Sequence, residues 1–292
     1  MTVLERLKNT ARTVLTSASN SAATSLDALL QLELSKELAR LQAEVRAVMP
    51  DNPCACGFKV YSQADEDGAL EEICRRIGLS SGHFIEIGCG DGRENNSHYL
   101  LLKGWRGIWV DGDAENIAAI RTAIPLGGRL RVVEQMVTRD NVASIPAAAG
   151  SPDFGEVDLF SVDVDGNDLA IALAAIKAWA PKVIVGEYNA KFRYPIKVEV
   201  AYKPLHRWSK DDYHGASLAA WVEQLQPHYR LVACNLAGTN AFFVRSDLAD
   251  RFAAYPPDRL YQPARFHLTA LRSGHAPSLS FLRNSLESGL DT

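Results

Sequence analysis

The residues of this sequence best placed to do chemistry are three alternate glycines, Gly88, Gly90 and Gly92, and a set of acids that each follow an apolar run. The glycines come directly after Phe84, Ile85, Glu86 and Ile87, an order that reads as strand, tight turn and helix start. Glycine is wanted there because the turn demands backbone angles closed to residues with a Cβ, and because a ligand must pack directly on the main chain. A second apolar run, 108–110, ends in Asp111, Gly112 and Asp113, about one strand-helix-strand unit later. An acid at that place can take both hydroxyls of a ribose. After a third run come Gln135 and Met136, at the end of a third expected strand.

Further along, the stretch Ser161 to Asp168 (SVDVDGND) puts Asp163 and Asp165 on one side of an extended segment, and VIVGEYN does the same for Glu187 and Asn189. If the two strands are neighbours, the four side chains make one oxygen-rich cluster. Three readings of it compete. The donors suit Mg²⁺ or Mn²⁺, held by Asp163, Glu187 and Asn189, and such an ion could chelate two substrate oxygens and lower a hydroxyl pKa. Without a metal, the acids would orient substrate hydroxyls and Asp163 or Asp165 would act as general base. In the plainest reading Asp165, Asn167 and Asp168 cap the helix that begins near Leu169, with Asn167 or Asp168 expected in that role. His214 stands at a loop-to-helix junction and titrates in the right range to be the base, its plain alternative being a cap or a solvent-facing side chain.

Positioning these groups takes strands alternating with helices. Strands are expected at 84–87, 108–110, 130–134, 158–164 and 182–188, and helices at 69–77, 114–123, 167–179 and 215–225. That alternation argues for a parallel sheet covered on both faces, with ligands outside the carboxyl ends of its strands. Runs 229–235 and 240–244 are close enough in sequence to pair antiparallel as a sixth and seventh strand. Residues 192–213 lack periodicity and form a long loop of the kind that usually carries function, with Tyr202, Trp208 and Tyr213 available to stack on a sugar ring.

With 292 residues, 47% hydrophobic and 23% charged, the chain can bury a full core and suits one α/β domain with a helical extension. A net charge of −4 without a run of lysine and arginine offers no strong field for nucleic acid. Five cysteines, an odd number in apolar or turn contexts, are expected as reduced thiols of a cytoplasmic protein; Cys54 and Cys56 lack a second ligand pair for zinc.

The expected division is a helical extension at 1–50 for oligomerisation or capping, a linker at 51–58, the main domain at 59–248 and a proline-interrupted helical tail at 249–292. Leu4, Leu7, Ala11 and Val14 recur at helical spacing with basic residues between them, so the first helix could pack on its own protein, on a second copy or peripherally on a membrane. It is too polar for a signal peptide or a transmembrane segment. Leu34, Leu38, Leu41, Val45 and Val48 then give a seam of about two heptads, enough to dock a dimer partner or cap the domain.

Glycine spacing selects the nucleotide. A dinucleotide turn, G-x-G-x-x-G, would need glycine where Arg93 stands, and arginine cannot give close helix-strand packing. Along 61–248 the order YSQADEDG, FIEIGCGDG, GWRGIWVDGD, DLFSVDVDGND, VIVGEYN, YHGASL and LVACNLAGTNAFFV resembles the FkbM-type S-adenosylmethionine (SAM) methyltransferases. The resemblance implies a class I methyltransferase (Rossmann-like) fold: a seven-stranded, mostly parallel sheet with helices on both faces. It also implies O-methylation of a sugar, glycolipid or polyketide hydroxyl on a small-molecule or glycan acceptor. It assigns the amino-acid end of SAM to Glu86, Gly88, Cys89, Gly90 and Gly92, with Glu86 near the ammonium. The ribose goes to Asp111 with Gly112 and Asp113, the adenine lies by Gln135 and Met136, and Asp163 lies below the transferred methyl. The segment 61–68 is implied to close over the cofactor. The chain departs from the commoner pattern in carrying Asp165 where a glutamate follows Asp-x, and Asp111 where glutamate is usual.

Two rival functions are a protein that binds SAM without transferring methyl, and an NAD(P) or nucleotide-sugar enzyme on a similar sheet. The acids at Asp163 and Glu187 argue against the first, and Arg93 against the second. Nucleic-acid methylation is disfavoured by the lack of a basic stripe and of an Asn-Pro-Pro-Tyr motif.

Overall fold

The computed structural model describes the backbone of residues 3–124 and 128–288, and side chains from residue 25 onward. In chain order the elements are α1 (Val3–Val48), α2 (Glu66–Ile77), β1 (His83–Ile87), α3 (His98–Leu102), β2 (Arg106–Asp111), α4 (Ala114–Ala123), β3 (Leu130–Glu134), α5 (Ile145–Ala148), β4 (Leu159–Val162), α6 (Asp168–Trp179), β5 (Val183–Glu187), α7 (Leu218–Leu225), β6 (Tyr229–Cys234), β7 (Asn240–Arg245), α8 (Pro257–Leu260) and α9 (Ser280–Ser288).

The strands form one sheet in the order β3-β2-β1-β4-β5-β7-β6. All neighbours are parallel except β7, which runs antiparallel to both β5 and β6. Strand order reverses between β1 and β4. Right-handed crossovers built outward in opposite directions from that point put their helices on opposite faces, so apolar residues of β1, β2, β4 and β5 are buried from both sides.

Register decides what emerges at the carboxyl edge. Ile87 pairs with Val110 on one side and Val162 on the other, and Val162 pairs with Gly186. The next residue of each strand therefore lines up across the sheet: Asp111, Gly88, Asp163 and Glu187, with Gln135 beyond Asp111 after the pair Asp111 and Glu134. Such a row at a strand-order reversal is where ligands of open α/β sheets bind.

The amino-terminal region is one continuous helix, where the sequence suggested two. The spacing read at Leu4, Leu7, Ala11 and Val14 lies outside the described side chains, and residues 1–2 and 289–292 of the two expected end regions lie outside the described chain. Leu34, Leu41 and Val45 of the seam are buried, whereas Val48 is 66% exposed and Met49 takes its place inside. These residues pack on the chain's own turns Pro53–Cys56 and Phe266–Ala270. Gln31 adds hydrogen bonds to the Ala270 carbonyl and from the Arg272 amide. The expected linker is itself packed, with Pro53, Cys54 and Ala55 buried. Leu26, Leu29, Leu30 and Leu32 remain exposed on α1.

The tail is built into the same core rather than appended to it. Leu260, Leu268, Leu282 and Leu286 are buried, the Tyr188 hydroxyl donates to the Gln262 carbonyl at 2.6 Å, and the Tyr261 hydroxyl donates to the Ala190 carbonyl at 2.6 Å. No described helix is long and apolar enough to cross a membrane.

Candidate functional site

A cavity of about 990 Å³ opens along the carboxyl edge of the sheet. Gly88, Gly90, Asp111, Gly112, Asp113, Gln135 and Met136 line one end; Asp163, Asp165, Glu187, Asn189 and His214 line the other.

The three glycines are there for different reasons. Gly88 has φ +82°, and a Cβ on it would sit 1.7 Å from the Asp163 carbonyl oxygen, so glycine is what lets β1 and β4 end side by side. Gly90 has φ +52° with nothing within 4 Å of a Cβ, which leaves bare main chain facing the cavity. Gly92, φ +82°, lies off that wall, where a Cβ would be 2.9 Å from the Trp109 ring. Asp111 holds the turn: its carboxylate accepts from the Gly90 amide at 2.8 Å and the Asp113 amide at 2.8 Å. Asp113 caps α4 by accepting from the Glu115 amide at 2.8 Å.

Glu86 is placed differently from what the resemblance implied. It is buried and does not line the cavity. Its carboxylate accepts from the Asn96 amide at 2.9 Å, the Ser97 amide at 3.1 Å and the Ser97 hydroxyl, so it anchors the turn that enters α3. Burial pushes its pKa up, and those donors pull against the shift. Cys89 is buried and lines a smaller neighbouring recess with Gln63 and Arg93. Arg93 pairs with Asp91 at the surface.

At the far end, one carboxylate oxygen each of Asp163, Asp165 and Glu187 lies within 4.8 Å of the others. Asp165 reaches this point by a left-handed residue, φ +56°, and not by the simple alternation expected of an extended segment. Asn189, expected among the ligands, is engaged elsewhere: its Nδ2 donates to the carbonyls of Asp212 and His214 at 3.0 Å each, and its Oδ1 accepts from the Lys191 amide at 3.2 Å. Nor does a side chain cap α6. Asp168 instead accepts from the Val164 amide at 2.6 Å and the Gly166 amide at 2.7 Å, and Asn167 donates to the Lys203 carbonyl at 2.7 Å. Removal from water raises the pKa of Asp163 and Glu187, and the neighbouring acids raise both further.

The loop between β5 and α7 folds over this end of the cavity. Asn167 and Asn189 pin it from below, and the Tyr213 hydroxyl accepts from the Ala201 amide at 2.9 Å. It carries His214, whose pKa is lowered by burial, and His206, which sequence reading did not single out. His206 packs over Gly166, where a Cβ would lie 2.2 Å from its ring, and its Nε2 is buried without a hydrogen-bond partner. Nothing in the local sequence marks it; the signal is a glycine forty residues upstream. Gln63 and the tail residues Ala264, Phe266 and Thr269 also line the cavity.

The segment carrying Gln63 is tied down by a buried run of acids. Asp67 accepts from the amides of Val60, Tyr61 and Ser62 at 2.6, 2.7 and 2.9 Å. Glu66 accepts from Asn235 at 2.6 Å and Asn240 at 3.0 Å, and Asp65 accepts from the Leu236 amide at 3.0 Å. The charge run at 65–67 is therefore a buried clasp between α2 and the β6–β7 turn.

The strand order and the reversed seventh strand make this a class I methyltransferase-like fold. No protein-family model matches the chain, and no curated protein matches it by sequence. Among solved structures it is similar to a putative O-methyltransferase from Klebsiella pneumoniae, with 16% identity and a TM-score of 0.40 over 72% of this chain and 87% of that one. Human methyltransferase-like protein 13 in complex with SAH matches at 13% identity and TM-score 0.35, covering 74% and 84%. The glycopeptide N-methyltransferase MtfA complexed with sinefungin matches at 14% and 0.37, covering 62% and 87%. At these levels the chemistry has to be read from this chain's own residues.

Proposed function

We propose that this protein is a SAM-dependent O-methyltransferase acting on a hydroxyl of a small, oxygen-rich acceptor such as a sugar, glycolipid or polyketide. The reading rests above all on the open main chain at Gly90, facing a cavity that also holds Asp111 and the acids beyond Gly88. Three features fit a sulfonium nucleoside. Gly90 offers an uncovered cradle, Asp111 presents a carboxylate at the end of β2, and Gln135 keeps a buried side-chain NH₂ with no protein partner, a donor available to a base. A cavity of about 990 Å³ also leaves space for an acceptor beside the cofactor.

When bound, SAM supplies a methyl already activated on sulfur, leaving as S-adenosylhomocysteine (SAH) once the acceptor oxygen has attacked. The protein's own work is alignment and proton removal. Gly88 and Gly90 let a ligand approach the backbone, Asp111 takes ribose hydroxyls, and Met136 walls the base. Holding reactants in line can supply several kcal/mol of the barrier reduction, on the order of 7 or more in favourable cases. His214 stands on the cavity wall, its pKa lowered by burial against the pull of Asp165, and takes the acceptor's proton; Asp163 and Asp165 orient its oxygens. Calorimetric titration with SAH, followed by isotope-labelled SAM and a panel of polyols, tests the reading. Absence of SAH binding by folded protein would end it.

We further propose that the exposed leucines Leu26, Leu29, Leu30 and Leu32 of α1 support a homo-oligomer. Light scattering on the full chain decides this, a monomeric mass being the contrary result.

A further inference from the structure

The loop between β5 and α7 that roofs the cavity is held in place, yet it spends its charges unevenly. His206 lies on the bare main chain of Gly166, and Asn167 donates to the Lys203 carbonyl at 2.7 Å. The Trp208 Nε1 donates to the Asp211 carbonyl at 2.6 Å, closing a turn over Lys210, which holds φ +63°. Both acids of that turn are engaged within the loop: Asp211 accepts from the Tyr213 amide at 3.0 Å, and Asp212 pairs with Lys191. Lys197, earlier in the loop, pairs with Glu223 at 2.6 Å. Arg207 and Lys210 line the cavity, but neither side chain has an ion pair or hydrogen bond among the described residues.

A plain role for such a pair would be to balance the acids below. The charges that act on Asp165, however, are those of His214 and His206, and neither Arg207 nor Lys210 is among them. The cavity is therefore divided, with acids along its floor and unpaired cations along its roof. Trp208 stands between the two cations in sequence and lines the same cavity, 39% exposed. Its one donor is already taken by Asp211, so what it offers is a ring face, with the His214 ring beside it at 5.4 Å between centroids. Of the three aromatic residues put forward as sugar platforms, only Trp208 lines this cavity; Tyr202 packs under Arg139, and Tyr213 ties down the Ala201 amide.

We propose that the acceptor is a sugar bearing an anionic group, a phosphate or a carboxylate, with Arg207 and Lys210 holding the anion at the roof and Trp208 covering the ring. Guanidinium and ammonium groups recognise either anion through charge-assisted hydrogen bonds, the arginine as a planar fork and the lysine as a point charge. The indole face supplies the apolar surface that the C–H face of a sugar can cover. An anion held at the roof turns the opposite, hydroxyl-bearing end of the ring toward His214 and the acids of the floor. That the bound sugar is a methyl acceptor rests on the methyl-transfer reading; the anion subsite does not.

Two measurements on the full-length protein test this. The first needs no acceptor: quenching of Trp208 emission, taken as the difference between wild type and Trp208→Phe, by the anion iodide and by neutral acrylamide. Relative to acrylamide, iodide should lose about half or more of its effect in the double variant Arg207→Gln, Lys210→Gln, and keep it in Lys197→Gln. Arg207 and Lys210 have no bond to lose, so these variants should melt with the wild type. The second is calorimetry with hexose phosphates, hexuronates and the parent hexoses, with SAH binding measured separately. At least one anionic sugar should bind about tenfold or more tightly than its parent, and each single Gln substitution should weaken it about three- to tenfold. Whether the phosphates or the uronates are preferred identifies the anion. Unchanged iodide quenching in the double variant, or no preference for any anionic sugar, overturns the proposal. So does inorganic phosphate binding as tightly as the hexose phosphates, which would leave Trp208 without a ring to hold. SAH binding without the preference removes only the acceptor class, whereas the preference without SAH binding removes only the methyl-transfer reading.

Discussion

Asn189 donates from its side-chain amide to the main-chain carbonyl of His214 at 3.0 Å, and the same nitrogen reaches the carbonyl of Asp212 at 3.0 Å. A residue at the end of β5 thus fixes where the loop histidine stands over the acids. Asn189→Ala should leave these carbonyls unpaired and cost roughly 1–3 kcal/mol of stability. SAH affinity should stay unchanged while methyl transfer falls by about 100-fold, the loss typical of a misplaced reacting group. A parallel fall in SAH affinity would show that Asn189 touches the cofactor instead.

Asp111 and Asp113 separate binding from folding. Both carboxylates accept backbone amides, so losing either lowers the melting temperature. Of the two acids the resemblance placed at the ribose, Asp113 spends its Oδ1 on the first turn of α4, so the proposal offers the ribose to Asp111. Asp111→Ala should weaken SAH by about 10- to 100-fold, the equivalent of one or two charged hydrogen bonds. Asp113→Ala should lose an N-cap, about 1 kcal/mol, with little change in SAH affinity. Equal effects on affinity would remove Asp111 from the ribose site.

Much of this site could be read from residue order, because the features that carry it are local. A glycine turn after an apolar run, and acids one residue past later runs, placed Gly88, Gly90, Asp111, Asp163 and Glu187 at one edge of a sheet whose seven strands fall where the sequence put them. What escaped depends on side chains meeting across the fold. Glu86 looked like a ligand residue, yet Asn96 and Ser97, ten residues away, consume its carboxylate. Asn189 shares a strand face with Glu187 in any alternating pattern, but the loop competes for its amide and wins. His206 depends on Gly166 making room for its ring, and α3 is too short to show a helical period.

Asp65 sets a pH dependence of stability. It is fully buried beside Glu66, and burial first, then the Glu66 charge, raises its pKa to about 8. In the unfolded chain it ionises near the ordinary aspartate value of 3.8. The folded state therefore holds a proton that the unfolded state has released between those values, so this contribution is complete below pH 4 and lost as pH rises towards 8. Across that window the slope is at most about 1.4 kcal/mol per pH unit, or roughly 2–4 °C in melting temperature. Asp65→Asn imitates the protonated form and should flatten the decline between pH 6 and 8 without unfolding the protein. An unchanged slope in thermal melts of that variant would assign the decline to another group.

Gly88 and Gly90 lie two residues apart, both at positive φ, and should respond oppositely to the same substitution. Alanine at Gly88 drives a Cβ to 1.7 Å from the Asp163 carbonyl oxygen, main chain against main chain, so β1 and β4 must part. The loss should reach roughly 3 kcal/mol or more, from overpacking added to left-handed strain, and appear as a large fall in melting temperature or loss of soluble protein. Alanine at Gly90 meets nothing within 4 Å and bears only the backbone strain, about 1–2 kcal/mol. That variant should fold, yet its new methyl occupies the surface on which the cofactor is to lie, so SAH affinity should fall by about tenfold or more, the effect of a group forced into a packed contact. Thermal melts and SAH titrations of the two variants, made side by side, check both halves. Full SAH affinity in Gly90→Ala would mean that the open main chain at Gly90 is not where the cofactor sits.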